Sequence, residues 1–391
     1  MTKILMIAAD GTAIDHLDYA MFRMKEEGFD LTVAAPEKRP LKTTTHWGAP
    51  DKHLYYVERP GYTVTPDAAF RDIDPAAYDA LLVPGGRAPE YLRNNAECMA
   101  IVRHFIDADK PIAATCHGPL ILLGAGVKGR RMTCTDDTAT DVTVFGNTFE
   151  FARGPWYNEP DNVTDGNIVT SRGWFHYHDW IREFIKMLRD RGLAEAKPAP
   201  AKTKRILMIA GDHSSSGQVA YGLERMLEAG HEVVIAAPEK RMLETIIDQR
   251  EEGWDMADVP GVYMYEYMCF EIPAGATLEE VDPAEFDGLL LPGGRGPEYL
   301  RNEAGTREIV RHFMDAGKPV GTICQAPRYL LAAGVTGMKL AGLEMIRTEI
   351  EQANTYVAAA DQPVIDRNVV SVSGRPYYHV WTREFLRMLD K

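Results

Sequence analysis

Pro111-Ile-Ala-Ala-Thr-Cys116-His117-Gly118-Pro119 and its altered copy Pro319-Val-Gly-Thr-Ile-Cys324-Gln325-Ala326-Pro327 decide the reading of this chain. Each begins as a short apolar run, which fits a buried strand. Each ends with a proline three residues beyond a cysteine, where proline favours the first turn of a helix. The pattern predicts a strand, a sharp turn carrying the cysteine, and a helix starting at once. The copies differ where it matters chemically, because His117 is replaced by Gln325.

Outward from these turns, the whole chain repeats. Lys3-Ile-Leu-Met-Ile-Ala-Ala-Asp10 recurs as Arg205-Ile-Leu-Met-Ile-Ala-Gly-Asp212, and Ala34-Ala-Pro-Glu-Lys-Arg39 recurs unchanged at 236–241. Pro84-Gly-Gly-Arg-Ala-Pro-Glu-Tyr-Leu-Arg93 returns at 292–301, and Trp180-Ile-Arg-Glu-Phe184 returns as Trp381-Thr-Arg-Glu-Phe385. A repeat of this length is a duplicated domain, not a solenoid module. Two domains are therefore expected, 1–193 and 204–391, joined by an Ala/Pro/Lys-rich linker at 194–203 that lacks core-forming residues.

Within each copy, strand-like runs alternate with helical ones. Ile4–Ala9, Leu31–Ala35, Ala80–Pro84 and Ile112–Thr115 read as strands. Helices are expected from Leu17 to Gly28 and from Glu97 to Ala108. This alternation implies an α/β fold, with a mainly parallel sheet covered by helices on both faces. Such sheets bind ligands at the carboxyl ends of their strands, where the Gly85-Gly86 and Cys116 turns both fall.

The 391 residues carry 43 basic and 57 acidic side chains, a formal charge of -14. That balance argues against sequence-independent nucleic-acid binding and against anionic membranes. No apolar run is long enough to span a bilayer, and the first residues lack a signal-peptide layout. Five cysteines at irregular spacing (Cys98, Cys116, Cys134, Cys269 and Cys324) suit reduced thiols of the cytoplasm, not a disulfide framework. The glycine turns lack dinucleotide or P-loop spacing, so no organic cofactor is expected.

A cysteine at a strand-to-helix turn faces unpaired N–H groups and the positive end of a helix dipole. Such positions lower thiol pKa values, so Cys116 is expected to be a reactive nucleophile. Backbone N–H groups of Gly86 and His117 are candidates for an oxyanion hole. The plainer alternative is a buried structural cysteine. His117 is either a proton carrier or the maker of a structural hydrogen bond. The run His176-Tyr-His178-Asp179 invites a metal reading, but it shows no third ligand, and none is assigned. Trp174, Phe175, Tyr177 and Trp180 read as packing or pocket wall, and Asp136-Asp137 as a solvated loop.

The chain resembles the ThiJ/PfpI (DJ-1) superfamily through the stretch Pro84 to Glu90 and the turn Cys116-His117-Gly118. The likeness runs through both copies. It implies two tandem flavodoxin-like domains of the class I glutamine-amidotransferase-like kind. The tandem form, with His46, the stretch Tyr55 to Gly61 and Tyr78-Asp79, looks most like plant-type members, some of which are glyoxalase III enzymes. The superfamily also includes deglycases, peptidases or amidases, isocyanide hydratases, chaperones and oxidative-stress sensors. The resemblance places the nucleophile on Cys116 and, by repeat, on Cys324. It places an interface glutamate on Glu90 and Glu298. Glu298, or Glu90 of a neighbouring subunit, is then expected to orient His117.

One departure is sharp. The superfamily's glutamate, which bonds the cysteine from the first helix and serves as its acid/base, falls on His16 in copy one and on Gln218 in copy two. A Cys116–His16 dyad is therefore expected, with His16 as general base near its ordinary pKa of about 6.5 and Asp15 or Asp10 fixing its tautomer. Copy two, with Cys324, Gln325, Gln218 and the Gly294 turn, reads as degenerate. The expected activity is a covalent Cys116 adduct with a small carbonyl or carbonyl-like substrate, of the glyoxalase III, deglycase, amidase or hydratase kind. The alternative is a redox sensor or chaperone-like protein that uses an oxidisable Cys116. A pseudo-dimer within one chain, and further homo-oligomers, are also expected.

Overall fold

The computed structural model describes residues 1–47, 57–150, 161–173, 176–196, 202–249, 265–358 and 362–391. Tyr55, Tyr56, Trp174, Phe175 and the middle of the linker lie outside them. The chain divides into two compact units, the first reaching Pro198 and the second running from Ala199 to Lys391.

The first unit runs in chain order through β1 (Lys3–Ile7), α1 (Ile14–Glu27), β2 (Asp30–Ala35), β3 (Leu41–Trp47), β4 (Val57–Val64), β5 (Ala68–Ala69) and β6 (Ala80–Val83). It continues with α2 (Ala88–Leu92), α3 (Ala96–Asp107), β7 (Ile112–Thr115), α4 (Pro119–Gly124), β8 (Arg131–Met132) and α5 (Ala139–Val144). It ends with β9 (Thr148–Phe149), β10 (Asn162–Asp165), β11 (Ile168–Ser171) and α6 (Tyr177–Asp190).

Seven strands form one sheet in the order β10-β11-β7-β6-β1-β2-β5. All neighbours are parallel except β10, which runs antiparallel to β11. The parallel strands are buried on both faces, and Ile4 to Ile7, Ala80 to Val83 and Ile112 to Ala114 are at most 2 % exposed. This burial explains why they are apolar without alternation. β1 lies between β2 and β6, so the chain leaves it in both lateral directions. That topological switch point opens a crevice at the carboxyl ends of β1 and β6.

α1 and α6 pack against each other on one face. The core on the other face gathers Met99, Val102 and Phe105 of α3 with Leu120 to Leu123 of α4. α1 stops at Gly28, whose φ of 80° is the left-handed conformation that a helix C-cap favours. Pro119 occupies the first turn of α4, where its missing N–H costs nothing. The β3–β4 pair was not legible as such. Its Leu41, Thr43 and Thr45 alternate buried with more exposed neighbours, a period-two signal that the polar composition hides.

The second unit repeats this plan. Its seven-stranded sheet is ordered Ala276–Thr277, Glu232–Ala237, Arg205–Ile209, Gly288–Leu291, Val320–Ile323, Val369–Val372 and Val364–Asp366. Among the described residues, no helix is long and apolar enough to cross a membrane.

Candidate active site

Cys116 sits one residue past β7 with φ at 58°, and Cys324 has φ at 64°. A left-handed residue with a side chain costs about 1–2 kcal/mol, so a strained cysteine in both copies has to be held by its surroundings. On the chain side, the Cys116 N–H donates to Ser171 O (2.9 Å) and the Gly118 N–H to Thr115 O (2.7 Å). On the packing side, three glycines make the room. A Cβ on Gly85 would lie 2.5 Å from Cys116 Cβ, one on Gly173 2.8 Å from it, and one on Gly118 2.4 Å from Val83 O.

Cys116 is 6 % exposed. Burial pushes it up to about 11, while the Gly86 and His117 N–H groups and the Thr135 hydroxyl, which bond it, pull the other way. The expectation of a lowered thiol pKa is therefore corrected. The donors are present, but a sulfur this far from water loses more hydration than they replace. The Gly86 and His117 N–H groups chosen as oxyanion donors point at the sulfur itself.

His16, at 2 % exposure, receives the Gly85 N–H on Nδ1 (3.2 Å). This fixes the neutral tautomer with its proton on Nε2. That atom lies on the Gly173 side of Cys116, 3.4 Å from where a Gly173 Cβ would stand. The Tyr177 ring meets the imidazole edge-on at 5.1 Å. Burial first, then His46 and His117, hold its pKa well below the ordinary value. His16 thus stands beside the cysteine as expected, but its nitrogen on that side carries the proton and offers a donor, not a base. Neither Asp15 nor Asp10 sets its tautomer. Asp15 accepts from the Thr45 hydroxyl (3.2 Å), and Asp10 is engaged by Arg39 and the Lys42 N–H.

The second copy explains this arrangement. Gln218 receives the Gly293 N–H on Oε1 (2.6 Å), as His16 receives that of Gly85. The Gln amide and the neutral His then present the same pair, an acceptor for the glycine and an N–H donor beyond it. His16→Gln is accordingly expected to keep Cys116 alkylation by iodoacetamide within about threefold of the parent, whereas His16→Leu orphans a buried N–H at about 1–3 kcal/mol. Equal loss of reactivity in both variants would refute the donor role.

His117 is buried, and both ring nitrogens meet acceptors. Nδ1–H donates to Gly86 O and Nε2–H to Asp137 Oδ2, each at 2.9 Å. Two acceptors require two protons, so the ring is an imidazolium. Burial opposes that charge, but the Asp137 carboxylate and the Gly86 carbonyl raise the pKa above its ordinary value. Asp137 itself is held at about 2, its own burial outweighed by the His117 ring. Asp136-Asp137 is thus no idle solvated loop. Asp137 bonds His117, and Asp136 pairs with Arg172 at 2.8 Å. A signal was available, since the positions 208 further on change together, His117 to Gln325 and Asp137 to Met345.

Asp137→Asn is expected to drop the His117 pKa below the ordinary imidazole value, followed by NMR titration, because burial then acts without its counter-charge. The sign follows from linkage. The raised His117 contributes stability that is complete below its unfolded pKa and is lost as pH rises through the folded one. The lowered Asp137 contributes stability above its unfolded pKa that is lost as pH falls toward 2. A His117 pKa unmoved by the substitution would refute the clamp.

Glu90 of the same unit comes within 3.6 Å of His117 Nδ1 and pairs with Arg87 at 2.7 Å. Arg87 also holds Glu58 of β4 at 2.6 Å. His46 of β3 lies close to Glu58, His117, Arg87 and Asp137, and burial lowers its pKa to about 4. In the second unit, Glu298 pairs with Arg295 and with Arg328, which replaces Leu120 and also binds Gln325 and Glu349. The buried imidazolium of copy one thus becomes a buried guanidinium in copy two.

The DJ-1/PfpI family model matches residues 2–187 and 204–388. Protein DJ-1 homolog D of Arabidopsis thaliana is 32 % identical over 290 residues, covering 72 % of this chain and 69 % of the homolog. A deglycase of Thermococcus kodakarensis is 39 % identical over 188 residues, covering 48 % of this chain and 99 % of its own length. Deglycase PfpI of Pyrococcus furiosus is 36 % identical over the same length, again covering 48 % of this chain and 99 % of its own.

Proposed function

Because this chain belongs to the DJ-1/PfpI family, we propose that its first unit is a cysteine-dependent enzyme that adds Cys116 to a small aldehyde or α-dicarbonyl. The single observation that carries this reading is the strained Cys116 sulfur, ringed by the Gly86 and His117 N–H groups, the Thr135 hydroxyl and the protonated side of His16. The relatives named as deglycases support carbonyl chemistry of this class.

The pocket favours addition over hydrolysis. Hydrolysis and hydration need a base to activate water, and both rings flanking the sulfur are committed, His16 Nδ1 to Gly85 and His117 to Gly86 and Asp137. Thiol addition needs no net base. A sulfur–carbon bond forms, the carbonyl π bond breaks, and the thiol proton ends on the former carbonyl oxygen, giving a hemithioacetal. The donors facing the sulfur stabilise its charge as it attacks and as it leaves. In this reading His16 Nε2–H donates to the developing oxygen. The buried imidazolium of His117 adds a fixed positive charge beside this centre.

The test is native mass spectrometry of the intact protein during brief exposure to methylglyoxal, because a hemithioacetal is reversible. One adduct, absent after prior alkylation and in Cys116→Ser, is the expected outcome. Adducts that persist unchanged in Cys116→Ser, as on surface arginines and lysines, would overturn the reading.

A further inference from the structure

One group of buried charges in the first unit takes no part in the chemistry above. Asp161, just before β10, is fully buried, and His176 and Asp179 at the start of α6 are 5 % and 1 % exposed. His176 Nε2 lies 3.6 Å from Asp161 Oδ2, and its Nδ1 lies 3.8 Å from Asp179 Oδ2. The Asp161 N–H donates to Asp179 Oδ2 at 3.2 Å, and Arg182 also pairs with Asp179. Both Asp161 carboxylate oxygens are buried with no hydrogen-bond partner among the described residues. One imidazole thus lies between two carboxylates at ion-pair distance, its Nδ1 making no hydrogen bond among the described residues. This is a charge clamp, not a ligand set, because a metal on one ring nitrogen would leave the carboxylate at the other nitrogen out of reach.

Two observations tie the clamp to the sulfur. The His176 N–H donates to Gly173 O at 2.9 Å. Gly173, at φ +111°, is so close to Cys116 that a Cβ on it would lie 2.8 Å from Cys116 Cβ. The second copy, whose elbow has also lost its imidazolium, has Gln362, Tyr377 and Val380 at the positions of Asp161, His176 and Asp179.

We propose that the Asp161–His176–Asp179 clamp positions Cys116, holding Gly173 against the strained elbow while Asp161 is ionised and releasing it when Asp161 is protonated. The proposal rests on Cys116 as the reacting atom. Asp161 faces His176 and Asp179 from α6, Arg172 from the end of β11 and Asp136 from the 136–138 turn, with His178 and Arg182 beyond Asp179. Burial raises its pKa to about 6 against the pull of His176 and Arg172, so Asp161 titrates below neutral pH. Protonation there removes one of the two anions that flank the ring. A left-handed cysteine persists only while its surroundings over-determine it. His176, Asp161 and Asp179 are positioning residues, since none touches the sulfur.

The experiment is iodoacetamide alkylation of Cys116 in the full chain, followed on its peptide by mass spectrometry from acid to mildly alkaline pH. A thiol raised as Cys116 is should gain reactivity about tenfold per pH unit, following its thiolate fraction. The parent is expected to depart from that line below about pH 6, falling more steeply as Asp161 takes up its proton. Asp161→Asn is expected to run straight and about three- to tenfold below the parent at neutral pH, meeting it in acid. Asp179→Asn serves as the second variant, with a melting curve for each to separate loss of fold. An Asp161→Asn profile that overlays the parent throughout overturns the clamp. No alkylation of Cys116 in the parent at any pH refutes instead the reading of Cys116 as the nucleophile.

Discussion

Cys116→Ser is expected to abolish the proposed adduct and to lower consumption of small dicarbonyls by roughly a thousandfold or more, the scale on which loss of a covalent nucleophile acts. The substitution is close to isosteric. It keeps the left-handed turn and the bond from the Cys116 N–H to Ser171 O, so the melting temperature is expected to hold. Cys324→Ser is the matching control. That thiol has the same backbone strain and is 2 % exposed, but its copy carries Gln218, Gln325 and Arg328 where the first has His16, His117 and Leu120. It is expected to change turnover by no more than about threefold. A Cys116→Ser protein that still consumes dicarbonyl at the parent rate removes the proposed chemistry. A Cys324→Ser protein that loses it moves the chemistry to the second unit.

Gly86→Ala is expected to be nearly as damaging, through the backbone. Gly86 has φ at +87°, and a Cβ there would stand 2.4 Å from both Ala13 N and Gly11 O. Backbone atoms cannot swing aside as a side-chain tip can. The left-handed cost of about 1–2 kcal/mol adds to that clash, and the sum should exceed about 4 kcal/mol. For a unit of this size it lowers the melting temperature by roughly 10 °C or more. The site suffers as well, because one peptide unit serves both partners. The Gly86 N–H faces the Cys116 sulfur, and the Gly86 carbonyl receives His117 Nδ1–H. Turning that peptide removes a donor from the sulfur and an acceptor from the imidazolium together. Gly126→Ala separates the two costs. Gly126 has φ at +100° with nothing within 4 Å of a Cβ, so it bears only the dihedral strain and should leave turnover intact. If Gly86→Ala melts and reacts like Gly126→Ala, the turn is not what holds the site.

Much of this molecule is written in local sequence. The duplication, the α/β alternation and the cysteine elbow are readable because each depends on neighbours in the chain. An apolar run of four residues, a glycine pair or a proline after a turn dictates its own conformation with little help. The asymmetry between the copies is readable for the same reason, since His117 against Gln325 and His16 against Gln218 are visible without coordinates. What these residues do is not. The protonation state of His16 is set by the N–H of Gly85, 69 positions away. That of His117 is set by Asp137 across a turn, and that of Cys116 by how much protein lies between it and water. Sequence reading assigned a base and an activated thiol, because ordinary pKa values and a helix N-terminus favour both. Tertiary packing decided otherwise. Desolvation and hydrogen-bond partners act through space, and their sign depends on which groups the fold brings within about 3 Å of a ring nitrogen or a sulfur.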